Sequence, residues 1–335
     1  MPLVFDRSAV LDVYARAAAH KWVVPTFCTE NLTTTEAVLS AALEHSQALG
    51  VPNLPVSVAM TVQYPGRPQA ALYTHTRHWG VGLGLFVADL KALAAPGFPF
   101  DRLDVMMHLD HVQWDKDAEL LKVDMSRFPS SIMFDASPLP FEENIRRTAA
   151  FVETHGGQTV VEGACDEITD ASGKEKNELT TPDNAEKYLR ETGVDFLVAN
   201  LGTEHRASAC GMKYNSGLAR EISRRTGPRL VLHGASSVAR DQIRNLFSDG
   251  IAKVNIWTAL ERDSAPVLLR DMVRNAARVA GPEAAGEMLR DGLLGPKADT
   301  TNPAALSHFT TTYRQEIIFS SMKSIALDYF RLWYV

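Results

Sequence analysis

Short apolar runs alternate with longer amphipathic stretches along most of this 335-residue chain. Such alternation is typical of repeated βα units, which build a parallel sheet with helices packed outside it. The predicted strands are Trp22–Phe27, Leu54–Ala59, Asp104–His108, Ser131–Phe134, Thr159–Glu162, Asp195–Asn200, Arg229–His233 and Ala252–Ile256. The predicted helices are Thr33–Leu49, Phe141–Thr154, Asp183–Thr192, Gly217–Arg225, Val238–Phe247 and Thr258–Val279. Eight strands with intervening helices favour a closed (β/α)8 TIM barrel over an open doubly wound sheet.

We expect a single domain over residues 1–335, with the barrel core at about 20–280 and a C-terminal helical tail at about 281–335. Segments rich in proline and glycine, 65–68 and 95–99, bracket a predicted insertion before the third strand. The end of the tail, Leu306–Val335, has a helical pattern and several aromatic residues. The polar, aperiodic stretch Asp166–Thr181 is predicted to be a long loop, a kind of segment that often covers a binding site.

The charge balance argues against nucleic-acid and membrane partners. The chain has 34 Lys and Arg residues against 40 Asp and Glu residues, a net charge of −6, whereas both kinds of binding need clustered positive charge. Three scattered cysteines are too few for a disulfide framework or a Cys-x-x-Cys metal site. The N-terminal sequence has no signal-peptide pattern and no apolar run is long enough to span a bilayer, so we expect a cytoplasmic protein.

Three of the ten histidines lie at predicted strand ends, where a barrel of this type carries its functional groups. His111 follows the third strand, His205 follows the sixth, and His233 ends the seventh. Three imidazoles with an open fourth position form a catalytic zinc site. Each histidine alone could instead be a hydrogen-bonded residue of the core or rim, but three at strand ends favour the metal site.

A carboxylate stands next to the first of these histidines, in the motif His108-Leu109-Asp110-His111. Strand alternation places His108 and Asp110 on one face. A carboxylate beside a metal can exchange a proton with the substrate. The alternative is that Asp110 orients an imidazole through a hydrogen bond.

The last two βα junctions have the pattern of an anion site. Thr258-Ala259-Leu260-Glu261 has the capping-box spacing for the start of a helix, and Gly234-Ala235-Ser236-Ser237 precedes the helix predicted from Val238. Both helix N-termini would direct free backbone N–H groups to the mouth of the barrel. Phosphate sites recur after strands seven and eight of this fold.

Several ordered motifs together resemble the class II, zinc-dependent ketose-bisphosphate aldolases, nearest the tagatose-bisphosphate branch. The match runs from Val24 to about Glu261. Its main motifs are His-Leu-Asp-His at 108–111, Ser-Ile-Met-Phe-Asp-Ala-Ser at 131–137, Gly-Thr-Glu-His at 202–205, Leu-His-Gly-Ala-Ser at 232–236 and Lys-Val-Asn-Ile-Trp-Thr at 253–258. Several motifs in order are more specific than any one alone.

The resemblance implies reversible cleavage of a ketose 1-phosphate or bisphosphate to glycerone phosphate and an aldehyde, through a metal-stabilised enediolate. It implies one catalytic Zn²⁺ held by His111, His205 and His233, with room for a monovalent cation, and Asp110 as the proton-transfer residue. Asn255 would help bind the enediolate. The residues implied to cradle the phosphate are Gly234, Ala235 and Ser236, together with Asn255, Ile256, Trp257 and Thr258.

Three positions depart from the family pattern. Arg206 replaces the glycine that usually follows the second zinc histidine, and its charge could strengthen anion binding or reshape the pocket. Ala164 replaces a glutamate usual two residues after Glu162, which leaves Glu175 and Glu178 as open candidates for a second proton-transfer role. Trp257 replaces a small residue and would narrow the pocket or pack outward. These departures point to an unusual aldehyde.

Two alternatives keep the same barrel. A metal with a neighbouring carboxylate also supports an epimerase or a hydrolase. The other alternative is a non-catalytic aldolase-like subunit, against which the intact Asp110 and histidines argue. The expected partner is a small phosphorylated sugar, and the resemblance with the aromatic tail favours a homodimer or homotetramer.

Overall fold

In the computed structural model, which describes residues 3–126, 128–168, 178–207 and 211–335, eight parallel strands close into a barrel in sequence order. The strands are β1 Val24–Cys28, β2 Leu54–Thr61, β3 Leu103–Gln113, β4 Ser131–Asp135, β5 Val160–Ala164, β6 Phe196–Val198, β7 Leu230–Leu232 and β8 Ile251–Ile256. The predicted (β/α)8 barrel is therefore confirmed.

Helices follow or flank the strands in the described part of the chain. Their bounds are α1 Arg7–Ala19, α2 Leu32–Leu49, α3 Gln69–Leu72, α4 Trp79–Leu93, α5 Phe141–His155, α6 Pro182–Thr192, α7 Ser216–Thr226, α8 Thr258–Arg274, α9 Ala276–Ala280, α10 Pro282–Arg290, α11 Leu306–Phe309 and α12 Thr311–Trp333. Short 3₁₀ helices lie at Leu120–Lys122, Ala235–Ser237 and Leu246–Asp249. None of the described helices combines the length and apolar character needed to cross a membrane.

The strands are apolar because the sheet is covered on both faces. All eight residues of β2 are buried, as are all five residues of β1, and a strand buried on both faces needs no polar side. Thr26 of β1 pairs with Ser57 on one side and with Asn255 of β8 on the other. This closure brings residues of the first and the last strand to the same rim.

The barrel interior contains a buried ion pair. Lys253 Nζ donates to Glu162 Oε1 over 2.6 Å, and both side chains are fully buried. The His108 ring lies between this pair and the mouth, with its Nε2 atom 3.7 Å from Glu162 Oε2 and 3.8 Å from Asp110 Oδ1. A polar column therefore leads from the barrel core towards the C-terminal ends of the strands.

Two helix predictions near the end of the barrel are wrong. No α-helix covers 238–247: Val238 is extended, and the following turns bond over three residues, as from Gln242 N–H to the Ala239 carbonyl. Ile243 is buried, but its carbonyl accepts from the Trp333 indole instead of continuing a helix. The helix predicted over 258–279 is divided, with α8 ending at Arg274 and α9 beginning at Ala276.

The aromatic end of the chain packs on its own barrel. Helix α12 contacts α2 and α8, and Phe330, Trp333 and Tyr334 are buried. The Tyr334 hydroxyl donates to the Pro55 carbonyl over 3.0 Å, and the Tyr334 carbonyl lies 2.8 Å from His45 Nε2. Helices α3 and α4 occupy the segment between β2 and β3.

Candidate active site

His111 reaches the pocket through an irregularity in β3. The pairing of β3 with β4 shifts register between Leu109 and Val112, and His111 has a φ of 48°. Side chains alternate between faces along a regular strand, so this left-handed residue is what brings the imidazole to the same side as Asp110. His111 Nδ1 lies 2.7 Å from Asp135 Oδ2 at the end of β4, a contact that leaves Nε2 facing the pocket.

His205 and His233 approach His111 from the loops after β6 and β7. The ring centres lie 5.1 Å apart for each pair with His111 and 5.4 Å apart for the third pair. One nitrogen of each ring lies within 4.8 Å of the other two. The three histidines that the sequence singled out therefore meet at one point.

The histidine cluster fits a metal ion. The Nε2 atoms of His205 and His233 are buried and have no hydrogen-bond partner in the described part of the chain. Burial lowers the pKa of His205 to about 3 and that of His233 well below its usual value, so both rings are neutral, as metal ligands must be. Asp135 orients His111 in the way that carboxylates support zinc-bound imidazoles.

Asp110 is buried beside the cluster and accepts several hydrogen bonds. Its Oδ2 atom accepts from Arg67 Nη2 over 2.7 Å and from the Cys28 thiol over 3.3 Å, and its Oδ1 atom accepts from Asn255 Nδ2 over 2.9 Å. Burial alone would raise the pKa of Asp110, but its electrostatic interactions with His111 and the Arg67 guanidinium hold it well below its usual value. Asp110 is therefore a carboxylate.

The pocket at the barrel mouth contains most of the predicted site residues. Those that line it are Asp110, His111, His205, Arg206, His233, Gly234, Ser236, Asn255, Ile256, Trp257 and Thr258. Ala235 does not line this pocket; it is buried as the first residue of the 3₁₀ helix Ala235–Ser237. All the predicted site residues except Ala235 therefore line this pocket.

The local backbone explains the glycine at 234. Gly234 has a φ of 68°, and a β-carbon at this position would lie 2.7 Å from the Glu204 carbonyl oxygen. Only glycine fits such a left-handed, crowded site without strain. The turn brings the loops after β6 and β7 together, and the Glu204 N–H donates to Ser237 Oγ over 3.0 Å.

The predicted capping box at the start of α8 is wrong. The helix begins at Thr258 with Trp257 as its N-cap residue, and no side chain caps it. Thr258 is already inside the first turn, so its hydroxyl is not positioned as a cap. The first N–H groups of a helix have no carbonyl partner within that helix. Trp257 and Thr258 line the pocket, so the N-terminus of α8 still faces it. No helix starts at Val238, which is extended and follows the three-residue 3₁₀ helix Ala235–Ser237.

The three departures from the family pattern occupy different places. Arg206 lines the pocket with a φ of 55°, the kind of conformation that favours glycine, and its guanidinium packs against Gly66. The Trp257 indole donates to Glu30 Oε1 over 2.6 Å and borders the pocket. Ala164 is buried at the end of β5. Of the two loop glutamates, Glu178 is exposed and Glu175 lies outside the described residues.

Sequence reasoning missed part of the pocket wall. Cys28, Tyr64 and Arg67 line it, and the Tyr64 ring stacks on His111 with centres 4.3 Å apart. Burial raises the pKa of the Tyr64 hydroxyl, which stays protonated. Arg67 lies in the segment that the sequence marked only as an insertion boundary. Its position just beyond a strand end was the available signal, because barrel sites are built there.

Comparisons with known proteins agree on one family. The family description "Fructose-bisphosphate aldolase class-II" matches residues 8–303. The chain is 30% identical over 246 residues to the D-tagatose-1,6-bisphosphate aldolase subunit GatY of Klebsiella oxytoca, covering 72% of this chain and 77% of that protein. A fructose-bisphosphate aldolase of Streptococcus pyogenes is 34% identical over 165 residues, 46% of this chain and 53% of that protein, so this match spans about half of its length.

The fold is shared with a solved structure of fructose-bisphosphate aldolase from Campylobacter jejuni. That match has a TM-score of 0.73 and 17% sequence identity, and it covers 99% of this chain and 95% of the other. At this identity the likeness concerns the fold alone.

Proposed function

This chain belongs to the class II fructose-bisphosphate aldolase family and is a lyase, and we propose that it is a zinc-dependent aldolase acting on a ketose 1-phosphate or bisphosphate. The products would be glycerone phosphate and an aldehyde, and the reaction would be reversible. The observation that carries the proposal is the meeting of three imidazoles, one from β3 and two from the loops after β6 and β7, beside one buried carboxylate.

The three histidines would hold the metal. His111, His205 and His233 offer one nitrogen each, and three protein ligands with an open position are typical of catalytic zinc. A zinc ion there would supply Lewis-acid stabilisation of the negative charge that develops when a C–C bond beside a ketone breaks. Asp135 would hold the His111 ring through its hydrogen bond to Nδ1.

Asp110 would carry the proton. In the cleavage direction its carboxylate would take the proton from the hydroxyl on the carbon that becomes the aldehyde, and the electron pair of the broken bond would stay on the ketone fragment as an enediolate. Asn255 holds the carboxylate by donating to Oδ1, and its own Oδ1 atom is buried with no partner among the described residues. That amide oxygen would accept a hydrogen bond from the enediolate fragment.

The phosphate of the ketone fragment would lie at the ends of β7 and β8. The N-terminus of α8 and the turn at Gly234 both face the pocket, and backbone N–H groups at a helix start favour an anion. The residues proposed for this role are Gly234, Ala235, Ser236, Asn255, Ile256, Trp257 and Thr258, with Arg206 at the same pocket.

The proposal extends to the location, the oligomeric state and the domain organisation of the protein. We expect a cytoplasmic homodimer or homotetramer formed from a single domain, with residues between β2 and β3 and the C-terminal helices as additions to the barrel. One apolar cluster that extends from Val4 to Tyr334 supports the single domain. A monovalent cation remains an optional second ion.

The direct test is a retro-aldol assay that detects glycerone phosphate, run on a panel of ketose 1-phosphates and 1,6-bisphosphates. Metal-dependent release of glycerone phosphate with an equimolar aldehyde supports the proposal. The same reactions analysed for inorganic phosphate and for isomerised sugar separate aldol cleavage from hydrolysis and epimerisation. Metal-loaded protein that releases no aldehyde from any member would contradict it.

A further inference from the structure

The Arg67 guanidinium lies inside the pocket, and the reaction proposed above gives it no role. Its segment leaves the end of β2, and its side chain is 9% exposed. Nη2 donates to Asp110 Oδ2 over 2.7 Å. The guanidinium carbon lies 4.9 Å from the centre of the Trp257 ring and 5.9 Å from that of Tyr64. Arg67 is therefore a buried cation held between one carboxylate and two aromatic faces.

Most N–H donors of the Arg67 guanidinium have no hydrogen-bond acceptor among the described residues. The group has five N–H bonds in a planar fork, and within the described part of the chain it donates one hydrogen bond of ordinary geometry, to Asp110. Asp110 is shared with Asn255 and the Cys28 thiol. A buried cation is costly unless its donors are bonded. The remaining donors border the pocket, where a bound anion would satisfy them.

We propose that Arg67 binds an anionic group, a carboxylate or a phosphate, on the aldehyde fragment of the substrate. The planar fork of arginine matches the paired oxygens of both groups. This inference rests on the proposed aldolase function, because it assigns the substrate class of that same site. It makes Arg67 a specificity-determining residue.

The position of Arg67 indicates that the anionic group it binds belongs to the aldehyde fragment and not to the ketone fragment. Asp110 would take its proton from the hydroxyl on the carbon that becomes the aldehyde, and Arg67 bonds to that same carboxylate. A group that Arg67 reaches must therefore be attached near that carbon. The phosphate of the ketone fragment already has the turn at Gly234 and the N-terminus of α8.

Trp257 limits the length of that aldehyde. Its indole is fixed by the hydrogen bond to Glu30 Oε1, and its ring packs against the Arg67 guanidinium. Arg67 and Trp257 both line the pocket, so the space next to the reacting carbon on this side is bounded by their side chains. The favoured aldehyde is therefore short, with its anionic group close to the reacting carbon.

The first experiment compares two-carbon aldehydes in the condensation direction with glycerone phosphate: neutral glycolaldehyde, glyoxylate and glycolaldehyde phosphate. We expect kcat/KM for either glyoxylate or glycolaldehyde phosphate to exceed that for glycolaldehyde by at least about 100-fold, because a site built to hydrogen-bond a polar group discriminates strongly against a substrate that lacks it. Arg67→Met should reduce this ratio to near one, mainly through KM for the anionic aldehyde. The ratio cancels the general loss of rate caused by removing a partner of Asp110.

The matched control is Arg224→Met, which removes an exposed arginine outside the pocket and should keep the wild-type ratio. The preferred aldehyde distinguishes a carboxylate from a phosphate. An unchanged ratio in Arg67→Met overturns the proposal. So does a rise in KM for glycerone phosphate that is equal with every aldehyde, because Arg67 would then serve the ketone fragment.

A binding measurement separates this inference from the aldolase function. Calorimetric titration with glycolate and with methyl phosphate, each with saturating glycerone phosphate, should show that one anion binds the wild-type protein and binds Arg67→Met at least about tenfold more weakly. Equal affinity in both proteins, or no binding to the wild type, overturns the proposal. Arg67-dependent binding without any condensation product supports the anion subsite and contradicts the aldolase function.

Discussion

Asp110 and His111 are consecutive residues of one strand, yet both side chains face the same pocket. Regular alternation would send them to opposite faces. The left-handed conformation of His111, with a φ of 48°, and the register shift between β3 and β4 reverse the direction of its side chain. The Asp110 carboxylate and the His111 imidazole thereby stand side by side, although a regular strand would have placed only one of them in the pocket.

His205→Ala should abolish stoichiometric zinc binding. The remaining two imidazoles leave a site short of the three ligands that catalytic zinc requires. Elemental analysis should show about one zinc per wild-type chain and less than about one-tenth in the variant. His75→Ala, which removes an exposed histidine elsewhere, should keep the wild-type zinc content. Full zinc in His205→Ala would mean that the ion binds elsewhere.

Asp110→Asn should keep the metal and lose turnover. The amide has the shape of the carboxylate but cannot accept the proton, and general acid–base catalysis contributes about 10²- to 10⁴-fold. We expect kcat to fall by about that factor while zinc content stays unchanged. Asp241→Asn, an exposed position away from the pocket, is the control. Normal turnover in Asp110→Asn would assign the proton transfer to another group.

Gly234→Ala should destabilise the protein by about 1–3 kcal/mol, because it forces a left-handed residue to carry a side chain. The added methyl group would lie 2.7 Å from the Glu204 carbonyl oxygen. Gly84→Ala is the matched control, since its β-carbon meets no atom within 4 Å and Gly84 lies inside α4. Denaturant unfolding should show a loss only in the first variant. Equal midpoints would show that the turn relaxes freely.

Lys253→Met should be strongly destabilising, and a second change should restore stability. Removing one partner of the buried pair leaves Glu162 charged without compensation, at a cost of about 3–5 kcal/mol. The double variant Lys253→Met with Glu162→Leu removes both charges and should recover much of that loss. Thermal unfolding of the single and double variants measures the effect. A double variant no more stable than Lys253→Met would contradict the assumed electrostatic origin.

Glu261 should make stability depend on pH. Burial and the neighbouring Glu30 raise the pKa of Glu261 to about 7 from an ordinary 4.5. The folded state therefore binds this proton more tightly than the unfolded chain does, so its stabilising contribution is complete below about pH 4.5 and is lost as pH rises through about 7. Glu261→Gln should be more stable than wild type at pH 8 and about equal to it at pH 4.5.

Urea unfolding at those two pH values tests this expectation. Glu153→Gln, which changes an exposed glutamate, should unfold like the wild type at both. A gain for Glu261→Gln that is the same at both pH values would show that the carboxyl does not titrate between them.

The sequence alone did not predict the direction of the His111 side chain in β3 or the conformation of residues 238–247. The sequence pattern of this segment predicted a helix, but the buried position of Ile243 fits a chain of tight turns equally well. The Ile243 carbonyl bonds to Trp333, 90 residues away, and no local pattern reports such a partner. Similarly, strand periodicity predicted that Asp110 lies at the end of the third strand. The backbone turn that redirects the His111 side chain depends on the irregular pairing of β3 with β4, which no local pattern reports.

By itself, the sequence determined the barrel and the rim on which His111, His205 and His233 lie, because alternating βα units impose parallel strands and parallel strands collect their C-terminal residues on one rim. The tertiary structure alone decided which side chains meet there. Arg67 contacts Asp110 from 43 residues away, and Asp135 contacts His111 from 24 residues away. Such partners are chosen by barrel closure and backbone turns, which act between segments distant in the chain and leave no periodic trace within either one.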